Sequence, residues 1–103
     1  MTIADRDVMA TLAPEVGSIV IAVASAGWVF VGQVGNGAPE YLLLEQASVI
    51  RLWGTTRGLG ELSMTGPTQG TLLDPVGCVW ISRPTHLLFL LPCDRQRWNG
   101  KLP

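Results

Sequence analysis

The segment Arg51-Leu52-Trp53-Gly54-Thr55-Thr56-Arg57-Gly58-Leu59-Gly60 gathers two guanidinium groups, two hydroxyls, an indole and three glycines within ten residues. Each type has a use beside an anion. Arginine grips phosphate or carboxylate through a planar fork of donors. Glycine lets backbone N–H groups converge on negative charge. An indole offers a flat face to a ring. Arg51, Trp53, Thr55, Thr56 and Arg57 are therefore candidates for holding a small anionic ligand. The segment lacks the Gly-Lys-Ser/Thr ending of a phosphate-binding P-loop, and its glycine spacing is not that of a dinucleotide fingerprint. A strand-to-helix connection with a solvated Arg57 accounts for the same residues. The tail adds Arg95, Arg97 and Trp98, which can join the ligand set across a subunit boundary or clasp a neighbouring copy; a solvated C-terminal turn with Trp98 covering the barrel end accounts for the same residues.

Catalytic chemistry has less to work with. Ser25, Ser63 and Ser82 lack a glycine elbow around them. His86 sits inside an apolar stretch, and no acidic pair recurs at a spacing suited to acid–base work. The chain is not expected to be an enzyme. Cys78, Cys93 and His86 make only three potential ligands with no CxxC pair, so no metal and no cofactor are expected. Two cysteines are too few for a disulfide framework, and both are expected to be reduced.

The chain has 103 residues, which suits one domain over 1–103. Charged residues make up 15% and hydrophobic ones 48%, against a usual charged share of about 25%. Mean hydropathy is +0.34. A lone small domain exposes too much surface to be so poorly charged. Part of that surface is expected to be covered by another copy, which predicts a homo-oligomer. Net charge is −1, so nucleic acid is not an expected partner on electrostatic grounds. The opening MTIADRDVMA carries Asp5, Arg6 and Asp7 where a secretory leader would be basic and then apolar. The expected location is cytoplasmic, or a virion given the resemblance described below.

The elements that must position these residues follow from patterning. Residues 16–39 contain no charge, which leaves a membrane span or a buried hairpin. A spanning helix needs about 20 apolar residues, whereas this stretch is broken by glycines and polar residues and is rich in Val and Ile. It reads as strands at about 16–25 and 28–34, turning at Ala26-Gly27. Further strands are predicted at about 40–45 and 47–53, with one bent strand as the alternative, and at about 76–82 and 85–91. Residues 66–75, with Pro67, Gly70 and Pro75, read as loop. A helix at 2–12 opens the chain, within an N-terminal segment at 1–14. The β core spans 16–92 and the tail 93–103, with a helical turn after Asp94. The fold class is mainly β (α+β): a five- to six-stranded antiparallel barrel or curled sheet, with the short N-terminal helix and a helical turn near 60–65. Several strands are apolar on both faces. The surplus face is expected to meet another copy through Val29, Val31, Leu42, Leu44, Leu88 and Leu90.

The ordered motifs AGWVFVG (26–32), SVIRLWG (48–54), GLGELSMTG (58–66) and LLFLLPCD (87–94) resemble a family of small uncharacterised bacteriophage and prophage proteins. The resemblance covers about residues 18–94. It departs after Trp53, where Gly54 and Thr55 stand in place of a second aromatic. It implies a phage origin, a small barrel-like fold and no transferable catalytic residues. Three functions are compatible with it. The first is an oligomeric counter-defence module that sequesters a small anionic nucleotide or a host protein. The second is a virion structural protein, and the third a barrel that binds single-stranded nucleic acid through stacked tryptophans.

Overall fold

The computed structural model describes residues 14–103; the helix predicted at 2–12 lies outside them. The elements are β1 (Ile19–Ala24), β2 (Val29–Val34), β3 (Tyr41–Leu52), α1 (Leu59–Thr65), β4 (Leu72–Ser82), β5 (Leu87–Pro92) and α2 (Arg95–Trp98). A 3-10 turn at Ser25–Gly27 joins β1 to β2. Among the described residues the strands form one antiparallel sheet in the order β4-β3-β2-β1-β5. The sheet is curled and does not close, because β4 and β5 are its two edges. Of the two shapes expected, barrel or curled sheet, it is the second. No helix among the described residues is long and apolar enough to cross a membrane.

Alternation along the strands feeds two cores. On the inside of the curl, Val20, Ala22 and Ala24 of β1 pack with Val34, Leu42, Leu44, Ala47 and Ile81. On the opposite face, Ile21, Val29, Val31 and Ile50 are covered by Leu62 of α1 and Trp98 of α2. This is the reason the strands read as apolar on both sides. It also corrects the expected interface. Val29, Val31, Leu42 and Leu44 are buried in the protein's own cores and cannot meet another copy. Leu90 packs against the inner core. Of the six residues only Leu88 is exposed, at 63%.

The curl depends on a line of irregularities across the sheet. Pairing of β2 with β3 shifts register between Val31 and Gln33, and pairing of β3 with β4 shifts between Leu44 and Ala47. Gln46, inside that shift, takes a positive φ of 47°. Such shifts mark bulges, which bend a strand and increase its twist. At the crossing point Gly32 has no side chain to spare: a Cβ there would stand 3.1 Å from Leu44 Cβ and 3.2 Å from Ala47 Cα. The predicted strands at 40–45 and 47–53 are thus one bent strand.

β4 starts earlier than expected and absorbs part of the predicted loop at 66–75. Pro75 stands opposite Ser48 within it. Proline is tolerated there because β4 is an edge strand, where the missing N–H can face outward. The helical turn after Asp94 is present. Asp94 Oδ1 accepts from the N–H of Gln96 at 3.0 Å and of Arg97 at 3.1 Å, an N-cap of the usual kind.

Trp98 pins the outer layer. It is fully buried, and its Nε1–H donates to the carbonyls of Leu62 at 3.1 Å and Ser63 at 3.2 Å. The indole thus ties α2 to α1 over β1 and β2. Trp98→Ala should cost about 3–5 kcal/mol, read as a fall in urea-unfolding free energy. Trp98→Phe should cost less, about 0.5–1.5 kcal/mol for the lost indole hydrogen bond, because the Leu62 and Ser63 carbonyls keep their bonds from the Gly66 and Asp94 N–H groups. Equal stability of the alanine variant and the native protein would show that this layer does not hold the sheet.

Candidate functional site

The residues predicted to hold an anion do not converge. Arg51 is committed to Asp74 across β3 and β4, with Nε 2.9 Å from Oδ2 and a second bond of 3.2 Å to Oδ1. Thr55 Oγ1 donates to the Gly58 carbonyl at 2.8 Å, and the Thr56 hydroxyl faces Glu61 at 3.4 Å. Trp53 is exposed and borders Gly58. Arg57 is exposed in the connection into α1. Gly54, at a φ of 72°, is pressed against the backbone of Gly70 and Thr71. Its carbonyl accepts from Thr68 Oγ1 at 2.6 Å, and that of Trp53 accepts from Thr71 Oγ1 at 2.6 Å. The glycines and threonines close the end of the β3–β4 hairpin; they are spent on the loop itself. Arg95 lies elsewhere, in a polar cleft with Gly17, Ile19, Gln33, Gln96 and Asn99. Arg97 is exposed, and Trp98 is inside the outer core and unable to touch a ligand.

The concavity with the most aromatic surface is at the open seam of the curl. It is a cleft of about 420 Å³ between the β1–β2 turn and the end of β4, lined by Ala24, Ser25, Ala26, Trp28, Phe30, Val79, Trp80, Ile81, Ser82 and His86. Trp28 lies nearly parallel to Phe30, with centroids 6.1 Å apart and planes at 11°. Trp80 meets Tyr41 edge-on at 6.3 Å and 80°. Trp28 is 55% exposed and Trp80 58%.

The turn between β4 and β5 holds this end together. His86 N donates to the Ser82 carbonyl at 3.0 Å, and its own carbonyl accepts from the Ser25 N–H at 2.8 Å. Ser25 Oγ and His86 Nδ1 are 3.2 Å apart. The Arg83 N–H donates to the Glu40 carbonyl at 2.8 Å. Three separate connections are thereby fixed relative to one another. Ser25 and His86 form a polar pair, but a second acidic or basic group to complete a catalytic relay is not among the lining residues.

Sequence reasoning missed this cleft. Its signal was present in Trp28 and Phe30, which alternate with Val29 and Val31. The valines enter the core beneath the helices, so Trp28 and Phe30 take the other face, where Phe30 packs on the inner core and Trp28 stays exposed. Which set faced which way was not readable without the register.

The thiols differ in setting. Cys78 is exposed on β4, and Cys93 is half-buried after β5. Burial pushes the Cys93 thiol from its ordinary 9.0 up to about 12, partly offset by a hydrogen bond with the Ile21 backbone.

The fold is Sm-like. The chain is similar to a heptameric archaeal Sm protein, described with implications for the eukaryotic snRNP core, at 20% identity and a TM-score of 0.55; the match covers 82% of this chain and 98% of that one. It is similar also to the P. aerophilum SmAP1 heptamer, at 20% identity and a TM-score of 0.55, over 84% of this chain and 92% of that one. Neither a protein-family model nor a curated protein matches the sequence. The expected module that sequesters an anionic nucleotide or a host protein is overturned by these neighbours, and the scattering of Arg51, Arg57, Arg95 and Trp98 removes the site it needed. The same neighbours stand against the expectation that nucleic acid is not a partner.

Two measurements follow from the thiols. In native protein at pH 8 a disulfide reagent should titrate Cys78 alone, and Cys93 should react only after denaturation. The raised pKa of Cys93 means that the unfolded chain releases this proton first. Its contribution to stability is therefore whole below 9.0 and lost as pH rises toward about 12. Urea-unfolding free energy should fall across that window, and less steeply in Cys93→Ala. Identical slopes would refute the assignment.

Proposed function

We propose that this protein is a ring-forming, non-catalytic binder of single-stranded RNA. The observation that carries this reading is the pair of free sheet edges. β4 and β5 each lack a second neighbour among the described residues. Both carry exposed apolar side chains: Leu72 and Val76 on β4, Leu88 and Phe89 on β5. A bare apolar edge is a template for another strand. Two different edges on one molecule make a head-to-tail contact, and such contacts close into rings when the rotation per copy permits. The Sm-like neighbours are heptamers, which supports closure. The low charge of the chain fits, because the edges are then interior to the assembly.

RNA is favoured by the described link of one neighbour to the snRNP core and by the exposed indoles. Net charge −1 weakens the phosphate contribution to binding but not stacking, which depends on aromatic faces. Binding should therefore respond weakly to salt, since few counterions are released.

Native mass spectrometry should give a single multiple of 11.1 kDa. Leu88→Asp, at an exposed edge position, should give folded monomers with weakened RNA binding. Filter binding should retain single-stranded RNA over duplex. A native mass of one chain at micromolar concentration would remove the ring, and failure to retain any single strand would remove the RNA reading.

A further inference from the structure

We propose that the cleft at the open seam is a receptor for one unpaired nucleobase, stacked on Trp28 and Trp80. The inference deepens the RNA-binding reading and names its ligand group. Three observations converge on it.

The first is the state of the aromatic walls. Trp28 rests on Phe30 in an offset stack, yet more than half of its surface is open. Trp80 is held edge-on by Tyr41 and is open to the same degree. Both rings are braced on one side and bare on the other. Fixing a flat ring in advance removes part of the ordering cost of a stacked ligand.

The second is charge. No Asp, Glu, Lys or Arg stands among the lining residues. A phosphate would find no ammonium or guanidinium group inside, so the group that fits the aromatic walls best is planar and neutral. The sugar and phosphate are left at the margin, where Arg83 follows directly on the lining Ser82.

The third is the polar rim. Ser25, Ser82 and His86 supply hydroxyl and imidazole groups that both donate and accept. A base edge presents that same mixture. The cleft volume of about 420 Å³ falls in the usual range for small-ligand sites, about 300–1,000 Å³. That is ample for a base.

The test uses full-length, 15N-labelled protein titrated with adenosine 5′-monophosphate and, separately, with ribose 5-phosphate. The four indole N–H signals are followed. Those of Trp28 and Trp80 should move with the nucleotide and stay still with the sugar phosphate. Trp98, buried and doubly bonded, and Trp53, outside the cleft, should stay still with both. Trp28→Ala should weaken binding of a short single-stranded RNA about five- to a hundredfold, from a stacking loss of about 1–3 kcal/mol per base. Trp80→Leu keeps an apolar side chain but loses the ring; it should weaken binding with the native mass unchanged. Melting temperatures near that of the native protein confirm that both variants fold.

The inference is overturned if the nucleotide moves neither indole, or if ribose 5-phosphate moves them equally. It is also overturned if Trp80→Leu changes the oligomer mass while the nucleotide leaves both indoles still, since the cleft is then covered by a second copy. If RNA binds the native protein and both variants alike, the cleft assignment falls and the RNA reading stands. If the nucleotide moves Trp28 and Trp80 but no single-stranded RNA is retained, the base receptor stands and the RNA reading falls.

Discussion

The close approach of Gly32 to Leu44 and Ala47 governs the shape of the molecule. A notional Cβ stands 3.1–3.2 Å from them, so even alanine would press on Leu44 and on the backbone of Ala47. The bulge at Gln46 and the register shift beside Gly32 fall on the same line. The sheet bends there, and only a bent sheet lets Val20, Ala22, Val34, Leu42 and Ile81 bury one another. A flat sheet of this composition would leave that face in water. Each fully buried aliphatic side chain is worth about 1.5–3 kcal/mol, so the bend decides whether the inner core exists.

Bending creates a second problem on the convex side, and the helices resolve it. Leu62 and Trp98 cover Ile21, Val29, Val31 and Ile50. Two helices of seven and four residues suffice because the indole bonds two carbonyls of α1 while filling the space above the sheet. What remains uncovered is the seam. The curl stops short of pairing β4 with β5, and the turn between them is tied instead to Ser25 and Glu40. The two free edges and the aromatic cleft are both products of that incomplete closure.

Much of the scaffold was legible in the sequence. Runs of Val and Ile turning at Ala26-Gly27 put β1 and β2 close to their observed bounds. The capping residue Asp94 announced α2. The errors share a physical origin. Pro75 read as a loop signal because sequence does not say which strand is an edge. Val29, Val31, Leu42 and Leu44 were assigned to an interface because two apolar faces look alike until helices are placed on one of them. Trp98 read either as a ligand contact or as a cover for the barrel end, because a tail residue's packing depends on where the chain returns; in the fold it closes a core with Leu62. The arginine–glycine segment read as an anion cradle because its donors can converge; in the fold Arg51 is taken by Asp74, and the threonines by their own loop.

The two proposed uses of the seam are physically compatible. An arriving strand would pair with the backbone of β4, whereas a base would lie against side chains reaching across to Trp28 and Phe30. Backbone donors and aromatic faces are different resources, and one edge can offer both. In a closed ring each copy would present one cleft, so a single strand passing over several copies would engage several bases at once. Individually modest stacking contributions then combine through effective concentration. That route to affinity does not require a basic surface, which reconciles a net charge of −1 with a nucleic-acid ligand. Under that proposal Trp28 and Trp80 would supply by stacking part of the attraction that most nucleic-acid binders draw from lysine and arginine.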